Sequence, residues 1–144
     1  MPNSHRFEIQ TRFGDTDALG HINHASYATY AETARLVFFR SLGALGPRMV
    51  RDSRSSSHGG DSLGMILARL EIDYRRQVSY FDRVHVDTRV AAIGRKSMTL
   101  AQQIYANDAL AAEVKAVMVA FDYARQETRE VPDGLRAELS GYLV

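Results

Sequence analysis

Cysteine is absent from this chain of 144 residues. Its absence excludes a thiol nucleophile, a zinc–thiolate site and a disulfide framework. An excess of one charge is also missing, because 18 lysines and arginines oppose 17 aspartates and glutamates, for a formal net charge of +1. A nucleic-acid-binding module or a polybasic membrane binder needs a large positive field, so the composition argues against both classes.

Long apolar runs are equally scarce. No segment approaches the roughly 20 apolar residues of a membrane-spanning helix, and the first residues, MPNSHRFEIQ, lack the apolar run of a signal peptide. We therefore expect a soluble cytoplasmic protein with no membrane insertion. A chain of this length has room for one domain, which we place at 1–144, and its core needs no metal or disulfide.

Alternation of apolar and polar residues predicts five strands. The first covers 5–13 and is half-buried, with Phe7 and Phe13 on the same face. In the second, Ile66 and Leu70 fall on one face. The four later strands are expected at 66–74, 84–92, 98–104 and 110–124, the last two joined through Asn107-Asp108.

Steps of three and four residues between apolar positions predict one long helix at 24–42. Asn23 is placed to cap its start, and Gly43 to end it. Residues 44–62 carry one proline, several serines and paired glycines, and we expect an irregular excursion there. A short second helix should follow Pro132.

This order of elements predicts an α+β fold. One strand, one long helix and four strands with hairpin-length connections form a mainly antiparallel, curved five-stranded sheet wrapped around one long central helix. The outer face and the edges of such a sheet remain free. We therefore expect a homo-oligomer, either a dimer or a tetramer.

The loop before the helix holds the densest group of polar side chains: Asp15, Asp17, His21, Asn23 and His24. A helix N-terminus offers unpaired N–H donors to a carbonyl oxygen that becomes negative during acyl transfer, and a nearby carboxylate can act as base or nucleophile. Equally, such residues often serve only as turn formers and caps. No metal site is expected, because the two histidines are not spaced to share a helix face.

The same loop resembles a family signature. Its residues Arg12-Phe-Gly-Asp-Thr-Asp-Ala-Leu-Gly-His-Ile-Asn-His-Ala-Ser-Tyr27 are similar to those of hotdog-fold acyl-CoA thioesterases of the 4-hydroxybenzoyl-CoA thioesterase family, and especially to the bacterial subgroup associated with the Tol-Pal system. Further matching stretches are Leu70-Glu-Ile-Asp-Tyr-Arg-Arg, Asp82-Arg-Val-His-Val and Ile93-Gly-Arg-Lys-Ser-Met. The resemblance implies a hotdog fold over nearly the whole chain.

The resemblance also implies catalytic roles. Asp17 corresponds to the family's nucleophile or general base, and the backbone N–H of His24 to the group that polarises the thioester carbonyl. The imidazole of His24 is a second catalytic candidate. Asp15 is more simply a turn residue, although its charge could raise the pKa of Asp17 if the two carboxylates lay close together.

Substrate-binding positions follow from the same resemblance. In the loop and first helical turn they are Gly20, His21, Asn23 and Tyr27; a structural bond suits His21, a cap suits Asn23, and the wall of an acyl pocket suits Tyr27. A second set, Arg95, Lys96 and Ser97, matches the hairpin that contacts the phosphates of coenzyme A.

The expected function is hydrolysis of an acyl-CoA to a free acid and coenzyme A, without a cofactor. Three alternatives stay open. They are a non-catalytic acyl-thioester binder, a thioesterase acting on acyl carrier protein, and a hydratase on the same fold, which would require an Asp and His motif that we do not find.

Overall fold

The computed structural model describes residues 3–43 and 63–144, so the excursion predicted at 44–62 lies outside the described residues. Within them the chain forms strands, two α-helices and a single 3₁₀ turn. In chain order the elements are β1 (His5–Ile9), a 3₁₀ turn (Phe13–Asp15), α1 (His24–Ser41), β2 (Leu63–Tyr74), β3 (Val84–Ile93), β4 (Ser97–Ala106), β5 (Ala109–Asp122), β6 (Glu127–Thr128) and α2 (Asp133–Ser140).

All strand pairs of the sheet are antiparallel, in the order β1-β3-β4-β5-β2, with the two-residue β6 added beside β5. Asn107 and Asp108 take positive φ angles of 51° and 65°. This pairing of left-handed residues builds the tight turn between β4 and β5, as the dipeptide predicted. The predicted α+β architecture, an antiparallel sheet with one long helix, is confirmed; β6 was not predicted.

The inner face of the sheet packs against α1 in two apolar clusters. Near the start of α1, Tyr27 and Ala31 pack with Val84 and Ile104. Near its end, Phe38 and Phe39 pack with apolar residues of β3 and β4 that flank the turn between these strands, namely Val90 and Met98. The 18-residue helix, about 27 Å long, therefore spans the sheet from one end to the other.

One buried cation connects α1 to the sheet between these clusters. The guanidinium of Arg35, only 4% exposed, donates to Gln102 Oε1 at 3.1 Å. The Gln102 amide in turn donates to the carbonyl of Ala31 and to Thr88 Oγ1. Burial lowers the pKa of Arg35 below its ordinary value because desolvation disfavours the charged form.

Two details of the predicted strands are wrong. β1 ends at Ile9 rather than Phe13, and Phe13 is 81% exposed in the 3₁₀ turn, because the chain leaves the sheet before reaching it. In β2 a bulge between Leu67 and Arg69 changes which residues face inward. Consequently Leu70 packs on the core, whereas Ile66 is 39% exposed.

Neither helix among residues 3–43 and 63–144 is long and apolar enough to cross a membrane.

Candidate active site

Asp15 holds the loop that follows β1 against the start of α1. Its carboxylate Oδ2 accepts hydrogen bonds from the Tyr30 hydroxyl at 2.8 Å and from the Arg12 backbone N–H at 3.0 Å. Its carbonyl oxygen accepts from the backbone N–H of Asn23 and from Ser26 Oγ. Burial, together with the Asp15 carboxylate, raises the pKa of Tyr30, so this hydroxyl stays protonated and keeps donating. Asp15 therefore anchors the loop after β1 to the first turns of α1 through hydrogen bonds.

Asp17 closes a small turn of its own. Its Oδ1 accepts from the backbone N–H of Leu19 at 2.8 Å and of His21 at 3.0 Å, and its backbone N–H donates to the carbonyl of His21 at 2.7 Å. Gly20 completes the turn with a φ of 86°. No hydrogen bond to Oδ2 is present among the described residues, so this second oxygen is available for chemistry.

The bonds to Oδ1 also set the charge of Asp17. Hydrogen bonds from the N–H groups of His21 and Leu19 favour the carboxylate and lower its pKa below the ordinary 3.8. This corrects the idea that Asp15 raises it: the anionic form is stabilised instead. Asp17 is thus ionised at neutral pH, as a nucleophile or general base must be.

The start of α1 lies next to this turn. As predicted, Asn23 caps the helix, its Oδ1 accepting from the backbone N–H of Ala25 at 2.9 Å. The backbone N–H of His24 donates to no acceptor among the described residues, and the His24 imidazole is exposed. An unpaired N–H at the positive end of a helix is suited to a developing oxyanion.

Asp17 and His24 line one cleft of about 380 Å³. Two predicted binding residues, His21 and Tyr27, line it as well, whereas Gly20 and Asn23 shape the turn and the helix cap. Burial raises the pKa of Tyr27, whose hydroxyl donates to the carbonyl of Arg76 at 3.2 Å. This tyrosine is therefore a neutral wall residue.

Further residues of this cleft come from the end of β2 and the residues after it, which sequence reasoning missed as site residues. The Tyr74 hydroxyl donates to the carbonyl of His24 at 3.0 Å, and its ring meets that of Tyr27 edge-on at 5.1 Å. Arg75, Arg76 and Gln77 continue the wall. Tyr74, Arg75 and Arg76 end the stretch Leu70-Glu-Ile-Asp-Tyr-Arg-Arg, which resembles the family. The spacing of residues in that stretch did not indicate contact with a loop some fifty residues earlier.

The hairpin carrying Arg95, Lys96 and Ser97 lies elsewhere. It joins β3 to β4, and the apolar residues on either side of it pack against the C-terminal half of α1. Arg95 lies 3.7 Å from Glu130, and Lys96 lies 3.4 Å from Thr128 Oγ1. The fold of the chain therefore places this hairpin at the far end of α1 from Asp17, and does not bring the two predicted sets of residues together.

The arrangement contains the groups that acyl transfer requires. Asp17, whose carboxylate has one free oxygen, and His24, whose backbone N–H is unpaired, line the same cleft, and such a pair can attack a carbonyl and stabilise its oxygen. Across the part of the chain that the structure describes, no three His, Asp or Glu side chains are placed to hold a metal ion.

Comparison with known proteins identifies the class. Residues 11–139 match the thioesterase-like superfamily, and the chain belongs to it. The membership confirms the resemblance seen in the loop, the hotdog fold and the predicted enzyme class, a thioester hydrolase.

Individual relatives agree with this class. The acyl-CoA thioester hydrolase YbgC of Escherichia coli O6:H1 is 23% identical over 92% of this chain and 93% of its own, which agrees with the Tol-Pal subgroup. A thioesterase from Thermus thermophilus, complexed with coenzyme A and Zn, is 29% identical over 93% of this chain and 95% of its own, with a TM-score of 0.73. The chain spans only about half of another relative, YsmA of Bacillus subtilis, at 26% identity over 65% of this chain and 55% of that protein.

The conformation of Gly20 should control the position of Asp17. Because its φ is 86°, Gly20→Ala would strain the turn that holds Oδ1, at a cost of about 1–2 kcal/mol, and should lower thioesterase kcat/KM. Gly14→Ala is the matched control: a methyl group there meets nothing within 4 Å, and φ is not positive. Thermal unfolding and initial rates measure both variants; equal behaviour would contradict the proposed role of the turn.

Proposed function

We propose that the protein is an acyl-CoA thioesterase that uses Asp17 and the N-terminus of α1. The observation that supports this most directly is that Asp17, ionised and with Oδ2 free, and His24, with an unpaired backbone N–H, line the same cleft. The YbgC relative is named as an acyl-CoA thioester hydrolase, and the Thermus thermophilus neighbour is a complex with coenzyme A.

In the proposed reaction the thioester carbonyl oxygen accepts a hydrogen bond from His24 N–H. Asp17 Oδ2 then either takes a proton from a water that attacks the carbonyl carbon, or attacks that carbon itself to form an acyl anhydride that water later hydrolyses. In both routes the carbon–sulfur bond breaks and coenzyme A leaves as a thiolate, which then takes a proton from the protonated Asp17 or from water. A thiolate is a good leaving group, so no strong general acid is required.

Replacing the Asp17 carboxylate tests the proposal. Asp17→Asn removes the charge but keeps an oxygen that can accept from Leu19 and His21, so the turn should persist while kcat falls by about 10²–10⁴-fold. Thiol release from short aliphatic, long aliphatic and aromatic acyl-CoAs measures the rate. Unchanged thermal unfolding is the control for the turn, and equal rates for the two proteins would remove Asp17 from the mechanism.

The acidity of Asp17 predicts the pH profile. Since its pKa is lowered, the carboxylate is lost only as pH falls below about 3.8, and kcat/KM should show no acid limb from Asp17 near neutrality. An acid limb near neutrality that survives in both His24→Ala and His21→Ala would contradict an ionised Asp17.

We also propose that the chain is a homo-oligomer built on the free edge of β2. Among the described strands β2 pairs only with β5, which leaves a twelve-residue edge ending at Tyr74 in the cleft wall. Two exposed apolar residues, Ile66 and Leu67, lie on this strand. A second subunit, or a second pair of subunits, would then supply the phosphate contacts of Arg95 and Lys96 that one subunit cannot bring to its own cleft.

The mass in solution tests this assembly. Light scattering should give two or four times the 16.1 kDa of one chain. Leu67→Glu places a charge on the β2 edge and should shift the protein toward monomer, whereas Leu36→Glu, at an exposed position on α1, is the matched control. A wild-type monomer at assay concentration would contradict the proposal.

A further inference from the structure

Two adjacent arginines at the cleft differ in how they are held. The guanidinium of Arg75 is engaged by Glu113, with Nη2 to Oε2 at 2.8 Å and Nε to Oε2 at 3.3 Å. Arg76 lines the same cleft, and its guanidinium has neither an ion pair nor a hydrogen bond among the described residues. Arg75 is therefore a neutralised cation, and Arg76 a free one.

The backbone of Arg76 is fixed even though its side chain is exposed. Its N–H donates to the carbonyl of Ala111 at 3.1 Å, and its carbonyl accepts from the hydroxyl of the buried Tyr27 in α1. These bonds attach Arg76 both to the strand beside it and to the helix whose first turn lies in the cleft. The backbone from which the Arg76 side chain extends is therefore fixed relative to the first turn of α1, which lies beside Asp17.

The charges that line the cleft are Asp17, Arg75 and Arg76, with the imidazoles of His21 and His24 beside them. An anionic group brought near the Asp17 carboxylate is repelled by it. A cation in the same cleft offsets that repulsion and adds a charge-assisted hydrogen bond. A neutral acyl group gains neither effect, so Arg76 would discriminate in favour of an anionic substrate.

The anion could belong to the acyl group or to the carrier. The phosphates of coenzyme A are separated from the thioester by the whole pantetheine arm, whereas Arg76 shares a cleft of about 380 Å³ with the residue proposed to act on the carbonyl. A carboxylate at the far end of a short acyl chain is close enough to the thioester for both groups to lie in this cleft. An extended pantetheine arm carries the phosphate beyond such a cleft.

We propose that Arg76 selects acyl thioesters whose acyl group carries a second, ionised carboxylate. This inference rests on the proposed thioesterase function and assigns the substrate class of the same site. The guanidinium donates to the distal carboxylate while Asp17 acts at the thioester carbonyl, and Arg75, held by Glu113, does not contribute.

The experiment compares ω-carboxyacyl-CoAs, from malonyl to adipoyl, with neutral acyl-CoAs of the same carbon number, after subtraction of spontaneous hydrolysis. The wild type should prefer the charged member of at least one pair. Arg76→Gln should lower that kcat/KM ratio by about 10–100-fold, as expected for loss of one charge-assisted hydrogen bond. Arg76→Lys should retain part of the preference, and Arg75→Gln, the matched control, should retain nearly all of it.

N-acetylcysteamine thioesters separate the two sources of negative charge because they lack every phosphate. The acyl-carboxylate assignment requires the same drop in Arg76→Gln with this carrier. A drop shared equally by charged and neutral acyl-CoAs, and absent from N-acetylcysteamine thioesters, would assign Arg76 to a carrier phosphate and overturn the inference. An unchanged ratio in Arg76→Gln would also overturn it.

Binding measurements distinguish a failure of the Arg76 inference from a failure of the proposed thioesterase function. Carboxyalkyl-CoA and alkyl-CoA thioethers cannot be hydrolysed, and calorimetry measures their affinities directly. If the wild type hydrolyses no thioester, the proposed function fails, while tighter binding of the carboxyalkyl thioether that is lost in Arg76→Gln still supports anion recognition. If thioesters are hydrolysed and Arg76→Gln binds both thioethers like the wild type, only the Arg76 inference fails.

Discussion

The contact between Asp15 and the start of α1 is the constraint on which the rest of the site depends. One side chain and its carbonyl bind Arg12, Asn23, Ser26 and Tyr30, so the loop after β1 cannot move independently of the first turns of the helix. The turn that holds Asp17 lies between these points of attachment. Asp15 is partly buried, and a carboxylate withdrawn from water is costly to leave without its hydrogen bonds, which favours a single geometry of the loop.

In that geometry the two carboxylate oxygens of Asp17 have different roles. Oδ1 accepts two backbone N–H groups, which orients the carboxylate and keeps it ionised, while Oδ2 stays free. The adjacent helix supplies the complementary positive end. The proposed catalytic pair consists of one side chain and one backbone donor, both positioned by local hydrogen bonds rather than by a relay of side chains, so the proposed reaction needs no cysteine.

The features that depend on residues close in sequence were predicted best. The cap by Asn23, the turn at Asn107 and Asp108, and the strands β3 to β5 follow from short-range preferences and alternation, which act on neighbouring residues. The errors in the predicted strands occurred where the alternation of apolar and polar residues continues in the sequence but regular pairing with a partner strand does not. Phe13 continues the pattern of β1 after the strand has ended, and the bulge in β2 reverses the facing of Ile66, because hydrogen bonding to a partner strand, rather than local pattern, sets where pairing stops or slips.

The sequence by itself determined most of the elements, the family and the candidate catalytic loop, because the motif from Arg12 to Tyr27 is continuous and most of its hydrogen bonds are local. Only the tertiary structure decided what faces that loop. It placed Tyr74 and Arg76 in the same cleft as that loop, and Arg95 near the C-terminal end of α1. Those placements depend on the order and register of distant strands around an 18-residue helix, and contacts at such sequence separation leave no periodic trace in the chain.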